Sequence, residues 1–362
     1  MDPKTRSHPP KRGILIPKAG FNMTLSAVIR GILAVVVVAA GCGSPATEEG
    51  AGPPPPAPQQ QSAPPAPGAP DFKGLLPAPP PGFGKSAQHL VFFSNRGQPD
   101  RTDSRAFELF RVNLNGRGLV QLTTSSAYDR EPAWSRDGKR IAFTSSHVDG
   151  KEEVFVMDAG GGKVRQVTNF NAHCWSLAWS PDGEALTFVS NVGGDDGEIY
   201  LFKLNSDAWL NLTNSPGVED GLATWSPDGK TIAFVSNREG AEQIYLMAPD
   251  GSGVKRLTPG PGPNTAPAWS PDGRRLAFVS GRDGNYEIYV LNADGSGLKR
   301  LTHNLAYDWS PAWSPDGRRI AFTSTRDNPQ ETYNVFIMDA DGGNVTRVTS
   351  GPGRDLIPRW WP

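Results

Sequence analysis

Acidic side chains recur at one position of this chain, five residues before each tryptophan of a spaced series. The six residues at this position are Asp129, Cys174, Asp220, Asn264, Asp308 and Asp355. Four carboxylates gathered into a ring could receive a cation or a basic group of a peptide. Alternatively, the carboxylates could cap turns locally or pair with four arginines of neighbouring loops. Those arginines are Arg96, Arg238, Arg282 and Arg326.

Aromatic residues stand beside this acidic position. Trp175, Tyr307 and Trp309 fall outside the repeated strand pattern, and Arg130 and His173 are close in sequence. Exposed aromatic side chains near a polar opening suit contacts with a peptide or a glycan. The sequence therefore predicts a binding rim. Its members are Asp129, Arg130, His173, Trp175, Asp220, Asn264, Tyr307, Asp308, Trp309 and Asp355.

The residue types that usually carry catalysis show no catalytic pattern here. The histidines lack metal-ligand spacing, and the chain has no Gly-Xaa-Ser-Xaa-Gly elbow, Walker loop or dinucleotide fingerprint. Cys174 is expected to be a small, half-buried apolar residue rather than a reactive thiol. We therefore predict a protein that is not an enzyme, with no catalytic residue, metal or cofactor.

The elements that must position these side chains form a repeat. Trp-Ser-Pro-Asp-Gly begins at Trp179, Trp225, Trp269 and Trp313, and Trp134 begins a copy with Arg in place of Pro. These tryptophans are spaced by 45, 46, 44 and 44 residues, and Trp360 follows 47 residues later. Pro, Asp and Gly are turn residues, and apolar runs flank each turn. A period of this length with four short strands per unit is typical of β-propeller blades.

The two ends of the repeat complement each other. The first copy begins at 89–94 without a Trp-containing strand before it, whereas 357–361 forms such a strand with nothing after it. We predict that this C-terminal strand is the innermost strand of the first blade. The fold class is then all-β: residues 87–362 form a six-bladed propeller of four-stranded antiparallel blades. The acidic positions should ring the channel mouth, at the end opposite the Ser-Pro-Asp-Gly turns.

The segment before the propeller has the composition of an export signal and a spacer. Basic residues such as Lys18 and Arg30 precede the apolar run 31–41, which predicts a signal peptide over 1–41, with Met23 as a possible true start. Ala39-Ala-Gly-Cys42 resembles the lipobox of bacterial lipoproteins, which implies lipidation of Cys42. An ordinary cleaved signal without lipid is the alternative. Residues 42–86 are Pro-rich and are expected to be a disordered linker, or a proline-rich ligand.

These repeats resemble the TolB-type, WD-like propeller repeat of bacterial envelope proteins over essentially all of 87–362. The resemblance implies a scaffold for an envelope protein or peptide, anchored by lipid to the outer membrane and facing the periplasm; a soluble periplasmic or secreted protein is the alternative. A proline-rich spacer stands where TolB has an α/β domain, so a direct Tol–Pal role is doubtful. A glycan or small-ligand module is the second possibility, and a metal-dependent uronate lyase, which needs clustered histidines, the third.

Charge narrows the range of partners. The chain has 36 basic and 37 acidic residues, a formal net charge of −1. Nucleic-acid binding needs a basic face or stripe, so no nucleic-acid partner is expected. We also expect a monomer that contacts the membrane through its lipid anchor only.

Overall fold

The computed structural model describes residues 89–96, 107–124, 127–148, 150–327, 333–351 and 353–362. These residues form 24 strands in six four-stranded antiparallel sheets, which confirms the predicted six-bladed propeller. The predicted signal peptide, Cys42 and the Pro-rich linker lie outside the described residues. In the described part of the chain, no helix is long and apolar enough to cross a bilayer.

Each blade begins at the propeller axis with the strand that ends in the marker tryptophan. These inner strands are β4 (Asp129–Trp134), β8 (Cys174–Trp179), β12 (Asp220–Trp225), β16 (Asn264–Trp269), β20 (Asp308–Trp313) and β24 (Asp355–Trp360). Each inner strand contacts the inner strands of both neighbouring blades, so the six strands close into a ring around a channel.

The other three strands of each blade follow outward from the channel. The second strands are β1 (His89–Ser94), β5 (Arg140–Val148), β9 (Ala185–Ser190), β13 (Ile232–Ser236), β17 (Arg275–Ser280) and β21 (Arg319–Ser324). The third strands are β2 (Glu108–Asn113), β6 (Lys151–Asp158), β10 (Glu198–Lys203), β14 (Gln243–Met247), β18 (Glu287–Asn292) and β22 (Asn334–Asp339). The outer strands are β3 (Val120–Gln121), β7 (Arg165–Gln166), β11 (Ala208–Asn211), β15 (Lys255–Arg256), β19 (Lys299–Arg300) and β23 (Thr346–Arg347).

The ring is closed by the C-terminal strand, as predicted. β24 pairs antiparallel with β1, so blade 1 has the strand order β24-β1-β2-β3. Ser94 lies opposite Asp355, and its hydroxyl donates a hydrogen bond of 2.7 Å to the Asp355 carboxylate. Blades 2 to 6 follow in chain order, from β4–β7 to β20–β23. The closure removes two sheet edges that would otherwise be unpaired.

The core lies between the faces of neighbouring blades. The second strands are covered on both sides, because the phenylalanine at their centre, such as Phe188, Phe234 or Phe278, is fully buried. Each contributes about 1.5–3 kcal/mol of hydrophobic stabilisation when it is removed from water. This continuous burial explains why the second strands are apolar at successive positions instead of alternating.

Every inner strand carries a β-bulge that the sequence does not announce. The register against the second strand shifts in all six pairs. At the third residue of each inner strand φ is positive, between 49° and 58°, although none is glycine: Glu131, Ser176, Leu222, Ala266, Ser310 and Ile357. A bulge bends a strand and redirects its side chains. Here it repeats at the part of each inner strand that borders the channel.

Candidate functional site

The propeller has two ends with different chemistry. The turn rim is the end that carries the Ser-Pro-Asp-Gly turns, where the inner strands finish. The loop rim is the opposite end, where the inner strands begin at the acidic positions. In each turn the serine hydroxyl donates to the aspartate two residues later, as Ser270 does to Asp272 at 2.6 Å. The following glycine, such as Gly273 with a φ of 69°, requires the left-handed conformation that glycine adopts at no steric cost.

At the loop rim, the four predicted aspartates are buried, and Asp220, Asp308 and Asp355 are each paired with an arginine. Asp220 is fully buried, and its two carboxylate oxygens lie 3.0 and 3.1 Å from Nη2 of Arg238. Asp308 is bound in the same way by Arg326, at 3.1 and 2.9 Å. The pattern repeats in two more blades, where Arg96 binds Asp355 and Arg282 binds Asn264.

Of the two possibilities that the sequence left open, the structure has the pairing with arginines and not an open carboxylate ring. Of the pairings considered from the sequence, those with Arg96, Arg238, Arg282 and Arg326 are present. Burial raises the pKa of Asp220 and of Asp308, while the neighbouring arginine lowers each. Buried ion pairs of this kind hold a specific arrangement and leave no charge free for a ligand. Asp129 is buried as well.

Two of the predicted rim aromatics turn out to be packing residues. Trp309 is only 9% exposed, and its ring centre lies 4.5 Å from that of Tyr286 in the preceding blade. Trp175 is half-buried and covers Gly197, where a Cβ atom would lie 3.0 Å from the indole. The prediction that the rim aromatics are exposed is therefore wrong for Trp309. Tyr307 is 49% exposed, and its role in binding stays a prediction.

The remaining predicted residues form a small polar cluster. Arg130 makes an ion pair with Glu152, and His173 Nδ1 lies 3.4 Å from the same carboxylate. Arg130 also lies over the ring of Tyr128, 5.3 Å from its centre. Burial lowers the pKa of His173, and the charges of Lys151 and Arg130 lower it further. His173 is thus a neutral neighbour of an ion pair near pH 7, and its role in binding stays a prediction.

Cys174 occupies the acidic position of blade 3 and is fully buried. Burial and the nearby Glu153 charge raise the pKa of its thiol, which keeps the sulfur protonated. Within the described ranges, no three His, Cys, Asp or Glu side chains lie close enough together to hold a metal ion.

A cavity of about 570 Å³ runs along the channel to the turn rim. Small and apolar side chains of the inner strands line its wall, such as Ala178, Leu222 and Ala268. At the turn rim it is surrounded by the marker tryptophans Trp134, Trp179, Trp225, Trp269, Trp313 and Trp360. The turn prolines Pro181, Pro227, Pro271 and Pro315 complete this mouth. The channel mouth at the turn rim is thus a ring of tryptophan and proline.

A charged residue, Arg359, interrupts this wall, and Glu131 lies near enough for its charge to act on it. Arg359 stands at the fifth position of β24, where the other inner strands have Ala or Thr. Among the described residues, its guanidinium makes one hydrogen bond, a 3.5 Å contact with the Pro358 carbonyl. Burial lowers the pKa of Arg359 and the Glu131 charge raises it. Glu131 accepts a hydrogen bond from the Ser176 N–H, and burial raises its pKa. Arg359 therefore retains N–H donors inside the channel.

The mouth is partly crossed by a second arginine. Arg136 takes the place of the turn proline in blade 2, and its Nη1 donates a 2.6 Å hydrogen bond to the Pro227 carbonyl of blade 4. Trp361 packs edge-on against Trp134, with ring centres 4.6 Å apart. These contacts join blades 1, 2 and 4 at the turn rim.

Residues 149–264 and 258–362 match the profile of the TolB beta propeller domain, so the match covers more than half of the chain. The chain belongs to the TolB β-propeller family. Among solved structures, TolB from Acinetobacter baumannii is 26% identical, with a TM-score of 0.67 over 76% of this chain and 67% of that one. A putative TolB from Agrobacterium tumefaciens is 25% identical, with a TM-score of 0.60 over 76% and 99%.

One relative carries the name of an enzyme. Dipeptidyl-peptidase 5 of Porphyromonas gingivalis is 45% identical over 64 residues, which are 17% of this chain and 9% of the peptidase. This TolB-family chain therefore spans less than a tenth of the peptidase's length. A match of that extent covers little more than one propeller blade and carries no information about the rest of the enzyme.

The channel arginines have a signal in the sequence, because each position of a TolB-type repeat can be compared across the copies. Arg359 stands where the other inner strands have Ala or Thr, and Arg136 stands where the other turns have Pro. Departures of this kind mark positions where the scaffold does not dictate the residue. The recurring acidic position, by contrast, mostly reflects pairing within the scaffold.

Proposed function

We propose that this TolB-family propeller is a non-enzymatic protein-interaction scaffold whose channel receives an extended segment of a partner protein at the turn rim. The channel carries this proposal. Its volume of about 570 Å³ lies within the range of small-ligand pockets, and its mouth consists of tryptophan and proline. Flat aromatic and proline surfaces suit extended, proline-containing segments, whose conformational cost of binding is low.

The wall of the channel adds a requirement for charge. Arg359 offers N–H donors that have no other partner among the described residues, and Arg136 adds a positive charge at the mouth. A carboxylate on the bound segment would form charge-assisted hydrogen bonds with Arg359. Glu131 reduces the positive field without hydrogen-bonding to Arg359. The proposed ligand is therefore an extended peptide segment with an acidic group.

Anchoring at the envelope surface forms the second part of the proposal. His89 begins β1 at the turn rim, because Leu90 pairs with Trp360. The described chain therefore enters the propeller at the turn rim. We propose export and lipidation at Cys42, with a partner in the cell envelope. Labelling with radioactive palmitate should mark the wild type and leave Cys42→Ala unlabelled; equal labelling would contradict the anchor.

Site-specific photo-crosslinking tests the channel. A benzoylphenylalanine placed at Thr224 on the channel wall should give a protein adduct in cells. The same residue at Leu210, which is exposed on the outer strand of blade 3, should not. Adding Ala178→Phe, which narrows the channel from the neighbouring inner strand β8, should remove the Thr224 adduct. An adduct that survives this filling would show that the partner does not enter the channel.

A further inference from the structure

A second cavity lies at the turn rim between blades 4 and 5. We call it the blade 4–5 pocket; it has a volume of about 450 Å³ and is lined by Thr231, Leu246, Trp269, Gly273 and two turn aspartates. Those aspartates are Asp228 and Asp272. Trp269 also borders the channel. The pocket lies on the outer side of the Trp269 indole, because Ser226, Thr231 and Leu246 of blade 4 line it as well.

In three other blades, an arginine covers the corresponding tryptophan. The arginine that opens the second strand of one blade lies over the marker tryptophan of the next. Arg140 stands 4.6 Å from the ring centre of Trp179. The same arrangement occurs in two further blades. The distances are 4.7 Å from Arg275 to Trp313 and 5.4 Å from Arg319 to Trp360.

Blade 4 has Thr231 at the position of these arginines. The equivalence is structural, because the Thr231 N–H donates to the turn serine Ser226 at 2.9 Å, as Arg275 does to Ser270. The short threonine side chain leaves the face of Trp269 uncovered. Trp269 is accordingly half-buried, whereas Trp313 is only 7% exposed. The pocket therefore occupies the space that an arginine side chain fills in three other blades.

The polar groups for such an arginine are present. Arg140 Nη2 donates a 2.8 Å hydrogen bond to the carbonyl of Gly183 in the next blade. The residue equivalent to Gly183 in blade 5 is Gly273, which lines the blade 4–5 pocket. Two carboxylates add negative charge. Hydrogen bonds from the turn serines lower the pKa of Asp228 and Asp272, so both are ionised near neutral pH.

Blade 3 shows that the loss of the arginine alone does not create this pocket. Ala185 stands at the same position there, but the indole of Trp225 donates a 3.1 Å hydrogen bond to the Thr187 hydroxyl. Trp269 has no corresponding hydrogen bond to a described residue. Trp134 likewise has no arginine over it among the described residues, and it packs against Trp361 instead. Within the described part of the chain, the combination of an open indole face, a carbonyl and two carboxylates is thus particular to the blade 4–5 pocket.

We propose that the blade 4–5 pocket binds the guanidinium group of an arginine side chain from a partner protein. The guanidinium stacks on Trp269 and donates to the Gly273 carbonyl, as Arg140 does within the scaffold. Asp228 and Asp272 supply complementary charge from the rim of the pocket. This site extends beyond the proposed channel function and does not depend on it, because neither Arg359 nor Glu131 is among the residues that line the blade 4–5 pocket.

Tryptophan side-chain NMR of the full chain tests the proposal directly. Titration with Nα-acetyl-arginine amide should shift the Trp269 indole signal, which Trp269→Phe identifies by its loss. The citrulline analogue has the same shape without the charge and should bind roughly five- to tenfold more weakly. The Trp313 signal is the internal control, since Arg275 already covers that ring.

Filling the pocket from within provides a second readout. Thr231→Arg should abolish the Trp269 shift and raise the melting temperature, because it restores the contact present in three other blades. Thr231→Gln, which is long but uncharged, should do neither. Equal shifts with arginine and citrulline, or a Trp269 shift that persists in a folded Thr231→Arg variant, would overturn the proposal.

Discussion

The two rims of the propeller use the same repeat in opposite ways. At the loop rim, Asp220 and Asp308 are fully buried and each is bound by an arginine of its own blade. At the turn rim, Trp269 is half-buried and the Arg359 guanidinium keeps unused donors beside a cavity. The polar groups of the loop rim satisfy each other, so they stabilise the ring. The groups of the turn rim remain available, so a ligand is more easily accommodated there.

In this repeat protein, the accessible polar groups lie where one blade differs from the others. The aspartate–arginine pair recurs in three blades, with Asn264 and Arg282 in a fourth, and there its groups bind each other within the scaffold. Departures from the repeat occur at both rims. Those at the turn rim, Arg359 and Thr231, produce the channel charge and the blade 4–5 pocket.

Removing the C-terminal strand should have the largest effect, because it spans both rims. Deleting 355–362 removes the inner strand of blade 1, with its pairing to β1 and the buried Trp360. The domain should then lose its cooperative unfolding transition, measured by circular dichroism on heating. Deleting only 361–362 leaves β24 intact and should preserve the transition. An unchanged melting temperature for the longer deletion would refute the closure.

Breaking one loop-rim pair should have the next largest effect. Asp220→Asn leaves the Arg238 charge partly buried without its carboxylate, and should lower the free energy of unfolding by about 3–5 kcal/mol. Chemical denaturation measures this change. Asp207→Asn breaks an exposed pair with Arg165 and should cost less than about 1 kcal/mol. Similar values for both variants would show that the loop-rim pairs are not special.

A double variant separates the pair from its two members. Asp220→Asn combined with Arg238→Gln removes both charges, so it should be less destabilised than Asp220→Asn alone. Strict additivity of the two single substitutions would argue against a direct interaction.

Glu242 is an exception to the pairing of the loop rim, and it should make stability depend on pH. It is buried, its carboxyl oxygens have no hydrogen-bond partner in the described structure, and burial with the Glu219 charge raises its pKa from 4.5 to about 8. Between pH 4.5 and about 8, the Glu242 carboxyl is therefore protonated in the folded state and ionised in the unfolded state. Over this window, stability due to Glu242 falls as the pH rises, by up to about 1.4 kcal/mol per unit.

Glu242→Gln tests this dependence. Glutamine carries no charge at any pH, so the variant should gain stability relative to the wild type as the pH rises from 4.5 to 8. Urea unfolding at several pH values measures the difference. Parallel curves for the two proteins would show that Glu242 ionises normally in the folded state.

At the turn rim, removing a charge should have the smallest effect on stability. Arg359→Met takes a poorly hydrogen-bonded guanidinium out of the channel, and the methionine side chain suits an apolar wall. The melting temperature should therefore change little, while the crosslinked adduct formed from Thr224 should fall. A large loss of stability would show that Arg359, like Arg238, belongs to the scaffold.

Much of the fold could be predicted because turn chemistry and burial are local. Ser-Pro-Asp-Gly sets the turns, and the apolar second strands require cover on both faces, so the blade count and the closing strand followed. The bulge could not be predicted in this way. Ile357 has a φ of 49°, which a β-branched residue adopts only when the surrounding structure enforces it.

The candidate site was less predictable, because burial and pairing depend on contacts between blades. The sequence correctly placed Asp220 and Asp308 in one ring, yet it could not decide between an open carboxylate and a buried ion pair. Trp309 shows the same limit: its departure from the strand pattern suggested exposure, whereas Tyr286 of the preceding blade covers it. The blade 4–5 pocket could not be predicted from the sequence, because it depends on how the arginine that blade 4 lacks packs on the next blade elsewhere.

The sequence by itself determined the repeat, the number of blades and the way in which the last strand completes the first blade. These features follow from residues within about 45 positions of each other and from the need to pair every strand edge. The tertiary structure alone decided which rim holds accessible groups. Accessibility depends on what the neighbouring blade supplies, an arginine over Trp313 but a threonine beside Trp269, and such neighbours meet only when the ring has closed.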